Sequence, residues 1–248
     1  MGFLSKLFNK TPKLDPINLG LIHTDLHSHL IPGIDDGSKS MEESIIMLQR
    51  FSDLGYKKVI TTPHIMSDFY KNTPEIILGG LEKVKEAIKT AGIEIEIEAA
   101  AEYYLDFHLD ELIKNKQLLT FNDNYVLFEL SFSAEPPMVK ETIFSLIMKG
   151  YKPILAHVER YPYYLNDWNK IEDLRRRGCL LQLNLNSLSG QYGPQVKKMA
   201  ESLIDKEMID VVGSDCHHFG HLELMNSIRT NLHAHKIINK ENLLNKRL

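Results

Sequence analysis

The sequence predicts a single α/β domain built on a parallel sheet, and three observations carry that prediction. Apolar, β-branched runs alternate with helix-patterned segments from one end of the chain to the other, as in parallel strands joined by crossover helices. The chain has 248 residues, 43% of them hydrophobic, enough to bury one large core in a fold of this class. Side chains able to bind metal recur where the strand candidates end.

The strand candidates are residues 22–27, 58–62, 94–99, 125–130, 153–157, 180–185 and 210–213. Helical patterns lie between them at 41–54, 74–91, 109–115, 139–149, 170–177 and 195–205. Ser40 and Glu43 have capping-box spacing, and Pro74 and Pro194 suit a first helical turn. Gly55, Gly92, Gly150 and Gly178 each fall just after a helical pattern, where a left-handed cap is wanted. Seven such units either close into a barrel or spread as an open doubly wound sheet. No Gly-rich nucleotide-binding turn follows the first strand, and no low-complexity linker divides the chain. The expected organisation is a tail over residues 1–20 and one domain over 21–248.

A formal net charge of −4 gives no global field to recruit nucleic acid or an acidic membrane. Two cysteines, Cys179 and Cys216, are too few for a disulfide framework and fit a reducing cytoplasm. No apolar stretch approaches the ~20 residues of a transmembrane helix. The N-terminal MGFLSKLFNK is amphipathic, with Phe3, Leu4, Leu7 and Phe8 opposed to Lys6 and Lys10. It lacks the apolar core and cleavage site of a signal peptide, so it reads as a tail clipped onto the body, with peripheral membrane contact as the alternative.

The first strand runs into His27-Ser28-His29, and residues two apart on a strand point to one side. Asp35-Asp36-Gly37 follows; the second strand runs into Thr62-Pro63-His64, and the third reaches Glu102. The fourth carries Glu129, the fifth ends at His157, and the seventh ends in Ser214-Asp215-Cys216-His217. Only the sixth, ending near Asn184 and Asn186, lacks a strong ligand. A lone His-x-His is weak evidence, but in a parallel barrel all these ends share one rim, where active sites lie. Burying Glu129 among Leu127, Phe128 and Leu130 without a cation is costly. Mixed imidazole and carboxylate donors suit Zn, Mn or Fe. There are too many for one tetrahedral site, so two or three ions sharing carboxylates are expected, of the kind that activate water for in-line displacement at phosphorus.

The runs from His27 to Gly37, Thr62-Pro63-His64, Ala156-His157-Val158-Glu159-Arg160-Tyr161 and Ser214-Asp215-Cys216-His217 resemble the motifs of the PHP (polymerase and histidinol phosphatase) superfamily. They are most similar to its bacterial tyrosine-phosphatase branch, associated with capsular and exopolysaccharide synthesis. The resemblance spans about residues 22–221 in the right order. It implies a distorted (β/α)7 TIM-like barrel with a trinuclear site, often manganese. By motif, His27, His29 and Asp215 hold the first ion, and Glu102 bridges it to a second held by Glu129 and His157. Asp36, His64 and His217 hold the third, with Asp35 as a supporting partner. Arg160 matches the family's phosphate-binding arginine, a planar group suited to two phosphate oxygens. The family pattern has a further arginine after the last Asp-x-His; none occurs here before Arg229, and His221 is the candidate to replace it.

Thiol phosphatases need an Arg six residues after the Cys; here those positions are Leu185 and Leu222. Cys216 therefore reads as a small buried filler. Phe69, Tyr70, Tyr103, Tyr104, Tyr161, Tyr163 and Tyr164 are candidates to wall a phosphotyrosine pocket, the run after Arg160 foremost. The resemblance implies a phosphatase acting on phosphotyrosine in protein, typically the tail of a bacterial tyrosine kinase, with self-association open. A small-molecule phosphatase such as histidinol phosphatase and a non-catalytic metal-binding module are the alternatives. A nuclease is disfavoured by the lack of a basic groove.

Overall fold

A computed structural model describes residues 14–248; the amphipathic segment at the N-terminus lies outside the described residues. In chain order the elements are β1 (Thr24–Leu26), α1 (Met41–Asp53), β2 (Lys58–Thr61), β3 (His64–Ile65), α2 (Pro74–Ala91), β4 (Glu96–Ala99) and β5 (Glu102–Tyr104). There follow α3 (Phe107–Asn115), β6 (Tyr125–Glu129), α4 (Val139–Met148), β7 (Lys152–Leu155), α5 (Trp168–Arg176), β8 (Leu180–Asn184), α6 (Pro194–Asp205), β9 (Val211–Gly213), α7 (Phe219–Ser227) and α8 (Leu232–Ile238).

All strand pairs are parallel, in the orders β1-β2-β4 and β3-β5-β6-β7-β8-β9. Two residues separate β2 from β3 and β4 from β5, so each pair is one stave broken in the middle. In the first, Pro63 lies at the break and offers no backbone N–H. Seven staves result, as the repeating units predict. The ring closes between β1 and β9, where Ser28 bridges Cys216, the Asp215 N–H donates to the His27 carbonyl at 2.8 Å, and the His29 N–H donates to the Cys216 carbonyl at 2.9 Å. The open-sheet alternative is thereby set aside.

Inside the ring, Leu26, Ile60, Leu127, Ile154 and Val211 form an apolar floor. Alternation then carries Glu129 inward above Leu127, and Gln182 and then Asn184 inward above Leu180. The second core lies between staves and helices. In α2, Ile77, Leu81, Val84 and Ile88 repeat at helical spacing and are all buried. The Ser40 hydroxyl accepts the Glu43 N–H at 3.3 Å, but the Glu43 carboxylate reaches back to the Lys39 N–H, one residue before the capping-box donor. The four predicted cap glycines all have positive φ. Two corrections concern the ends of the chain. Residues 19–22 form a 3-10 turn, which delays the first strand to Thr24. The sequence shows no helical period for the C-terminal α7, whose apolar residues do not gather on one face, or for α8, which has only seven residues. Among the described residues, no helix is long and apolar enough to cross a membrane.

Candidate metal centre

His27 and His29 converge, with ring centroids 5.4 Å apart, but strand alternation is not the cause. β1 ends at Leu26, and His27 has φ 100°. His157 just beyond β7 and Asp215 beyond β9 also have positive φ, at 32° and 50°. Each of these three residues turns its side chain inward through a backbone conformation that non-glycine residues avoid, at about 1–3 kcal/mol apiece. Gly37 meets a different demand. A Cβ there would collide with the His29 carbonyl and Cβ, so only glycine lets the Asp35-Asp36 turn lie this close to the histidine strand end.

The nine expected ligands all meet at this rim. They fall in four groups whose donor atoms lie within 4.8 Å of one another: His29 with Asp36, His64 and His217; His27 with His29 and Glu102; His27 with His157 and Asp215; and His64 with Glu102 and Glu129. Glu102 is central. One oxygen lies 3.0 Å from His27 Nε2 and 3.2 Å from His64 Nδ1, the other 3.1 Å from His157 Nε2. The grouping differs from the motif assignment at three residues: His157 sides with His27 and Asp215, His64 also approaches Glu102 and Glu129, and His29 also falls with Asp36, His64 and His217.

Electrostatics show what this arrangement favours. Burial opposes charge on Glu102 and Asp215, yet the neighbouring imidazoles, His27 foremost, hold both carboxyls well below the usual range. Burial likewise works against protonation of His27, His29 and His64, but Glu102 raises His27, Asp35 raises His29 well above its ordinary value, and Glu102 lifts His64 to about 9. With His29 only 4.0 Å from His217 and 4.5 Å from His64 between centroids, several imidazolium charges would repel one another. A divalent cation places the positive charge on one centre and leaves the rings neutral. Three imidazole nitrogens of these residues also lack hydrogen-bond partners although buried: His29 Nε2, His157 Nδ1, and His64 Nδ1, which lies 3.2 Å from Glu102 and Glu129. The residues fit divalent metal.

A supporting layer fixes the rings. Asp35 lies 2.8 Å from His29 Nδ1 and accepts the His64 and Gly37 N–H groups, so His29 presents Nε2 inward. Asp36 instead lies 3.6 and 3.5 Å from the Nε2 atoms of His64 and His217. Asp35 thus contacts His29 and backbone N–H groups, whereas Asp36 faces His64 and His217. β8, the strand without a strong ligand, serves by holding others. Gln182 Oε1 accepts the His157 N–H at 2.6 Å and lies 3.4 Å from His27 Nδ1, and Asn184 donates to Asp215 at 3.1 Å. Sequence reading missed Gln182, although a polar residue in the Leu-Leu-Gln-Leu-Asn run, in phase with Asn184, was the available clue. Glu159, fully buried, accepts the Asn184 N–H and the Ser187 hydroxyl; burial pushes its carboxyl up to about 7.

Arg160 stands at the edge of the cluster, 2.6 Å from Asp215 and sandwiched between the rings of Phe132 at 4.9 Å and Tyr192 at 4.4 Å. His221 does not offer a second cation. Its Nδ1 lies 3.0 Å from the Asp215 carbonyl and its Nε2 3.2 Å from the Gln191 amide nitrogen, the pattern of a neutral ring. Burial and then His218 lower it to about 4. It braces the Asp215–His217 turn. The aromatic expectation also needs correcting. Tyr103, Tyr161 and Tyr164 are buried, with the Tyr103 and Tyr161 hydroxyls accepting backbone N–H groups, and Tyr163 donates to the Ser131 carbonyl. The rings that face the site are Tyr70, stacked on His64 at 5.4 Å, together with Phe132 and Tyr192. Both cysteines are buried and free, and burial pushes each thiol up.

Comparisons with known proteins agree with this geometry. A family model described as capsular polysaccharide synthesis, CpsB/CapC, matches residues 23–230. The chain is 29% identical over 199 residues to the tyrosine-protein phosphatase CpsB of Streptococcus pneumoniae, covering 78% of this chain and 82% of that one. It is 28% identical over 194 residues to the tyrosine-protein phosphatase YwqE of Bacillus subtilis, covering 78% and 76%. A solved structure from work on YwqE and CpsB, described as unique metal-dependent tyrosine phosphatases, superposes with a TM-score of 0.78 at 26% identity, over 90% of this chain and 94% of that one.

Proposed function

This chain belongs to the CpsB/CapC family of capsular polysaccharide synthesis, and from that premise we propose that it is a metal-dependent phosphatase releasing phosphate from phosphotyrosine in protein. The observation that carries the reading is the convergence of nine imidazole and carboxylate side chains on one rim, with a guanidinium at its edge. His27, His29, Asp36, His64, Glu102, Glu129, His157, Asp215 and His217 hold the metal, with three manganese ions as the preferred occupancy and iron or zinc compatible with the same donors. His27, His29, His64 and Glu102 each belong to two of the four groups, which supports neighbouring ions with shared ligands. When bound, the ions supply an acidified water and offset charge developing on the phosphoryl and leaving oxygens.

The chain's own residues bind and orient. Arg160 keeps one nitrogen on Asp215, which leaves further guanidinium N–H groups to hold phosphate oxygens. Asp35, Gln182 and Asn184 keep the ligand side chains in place before substrate arrives, so little reorganisation is needed during reaction. The buried cysteines fit no thiol mechanism. In context, the substrate we propose is the phosphotyrosine tail of a bacterial tyrosine kinase of polysaccharide synthesis. The setting is the cytoplasm, and the working unit is residues 21–248.

Phosphate release from a phosphotyrosine peptide, histidinol phosphate and a phosphorylated nucleic-acid end, each with manganese or with chelator, tests the reading. Release from the phosphotyrosine peptide alone, abolished by chelator and cut about 100-fold or more by His157→Ala, is expected. Chelator-insensitive release would sink the metal mechanism.

A further inference from the structure

Phosphate contacts are common to every phosphomonoester, so Arg160 and the metal ligands cannot by themselves distinguish an aryl from an alkyl ester. Discrimination requires a surface that meets the leaving group. We propose that Phe132 is that surface, a specificity-determining residue whose ring receives the phenyl ring of phosphotyrosine. The inference rests on the phosphatase reading above.

Phe132 lies in the loop between β6 and α4, two residues past the last residue of Leu-Phe-Glu-Leu. It is 41% exposed, yet the aromatic and cationic groups it touches belong to the site or brace it. Its ring stacks on His157 at 5.5 Å and on Tyr161 at 5.3 Å, and the Arg160 guanidinium lies 4.9 Å from its centre. Single exposed phenylalanines are common on protein surfaces. One that links a candidate ligand to the phosphate-orienting arginine, and still shows a large open surface, is placed to meet whatever is esterified to the phosphate. Tyr192, on the other side of Arg160, is engaged through its hydroxyl with Asn184 at 3.3 Å. Tyr161, beneath Phe132, is fully buried. Phe132 is therefore the most exposed ring of this group, Tyr192 being only half-buried and Tyr161 fully so, and an aromatic leaving group gains from offset stacking on it what an alkyl chain does not.

The test uses the metal-loaded full chain and two peptides of one sequence, carrying phosphotyrosine or phosphoserine. Phosphotyrosine has the better leaving group, so the informative quantity is the ratio of kcat/KM between peptides and its change on mutation. For Phe132→Ala we expect kcat/KM to fall roughly 3- to 10-fold more on phosphotyrosine than on phosphoserine, with Phe132→Tyr restoring the ratio. A ratio unchanged in Phe132→Ala, or equal losses on both peptides, overturns the proposal. If wild-type protein releases phosphate from neither peptide with manganese present, the phosphatase reading fails instead. Circular dichroism and metal content matching wild type confirm that the variant is otherwise intact.

Discussion

Gln182 has no place in a list of metal ligands, yet its one side-chain oxygen contacts the His157 backbone and faces the His27 ring. Gln182→Leu keeps the volume and removes both contacts, so metal affinity is expected to fall about 10- to 100-fold with the fold intact. Metal titration followed by calorimetry checks this; unchanged affinity would make Gln182 a packing residue. Asp25 gives a prediction of the opposite kind. It accepts the Ser214 N–H and hydroxyl at 2.9 Å, and burial pushes its carboxyl from 3.8 to about 7. The folded protein prefers the neutral acid, so Asp25's contribution is fully present below about 3.8 and is lost as pH rises towards 7. Asp25→Asn stays neutral, and the Ser214 hydroxyl still has the His27 carbonyl to donate to. Its Tm advantage in chelator-treated protein should widen between pH 5 and pH 8; a pH-independent difference would mean that Asp25 is ionised in the fold. The candidate ligands were legible because His, Asp and Glu are rare in apolar strands. Gln182 offered only its polar position in an apolar strand, and Phe132 offered nothing, since an exposed ring becomes informative only when its neighbours are known.

At the scale of elements, the seven-unit alternation was legible and the breaks within it were not. A stave that stops at Thr61 and restarts at His64 reads as one run with a ragged end, because strand patterning reports burial and not pairing. The short β3 and β5 nonetheless set the site, since His64 pairs with Glu102 across them. Asp106 ties their loops together. One oxygen caps α3 at the Leu109 N–H and the other accepts the Ser67 N–H of the loop after β3, both at 3.0 Å. Asp106→Ala should lose the cap and the tie, costing about 2 kcal/mol in urea unfolding. Asp106→Asn retains one acceptor for the cap, so about half that loss is expected. Equal losses would show that the cap contributes nothing.

The whole molecule depends on closing a ring whose first and last staves scarcely pair. Beyond the ends of β1 and β9, the closing bonds are made by the residues around His27 and Asp215, so closure and site assembly are one event. At the opposite end a side chain substitutes for the missing ladder. Asn245, fully buried in the C-terminal 3-10 turn, donates to the carbonyls of Thr24 at 2.9 Å and Val212 at 2.8 Å, and accepts the Val212 N–H at 2.9 Å. Nothing in the sequence around Asn245 distinguishes it from a polar tail residue, because its partners are supplied by strands more than thirty positions away. Asn245→Ala leaves three buried backbone groups unpaired, a loss of about 3–5 kcal/mol readable in urea unfolding. The same variant should hold metal more weakly, because His27 and Asp215 stand on opposite sides of the seam that it loosens. If stability falls while metal affinity does not, the bonds at the site end close the ring alone, and Asn245 serves stability without serving the site.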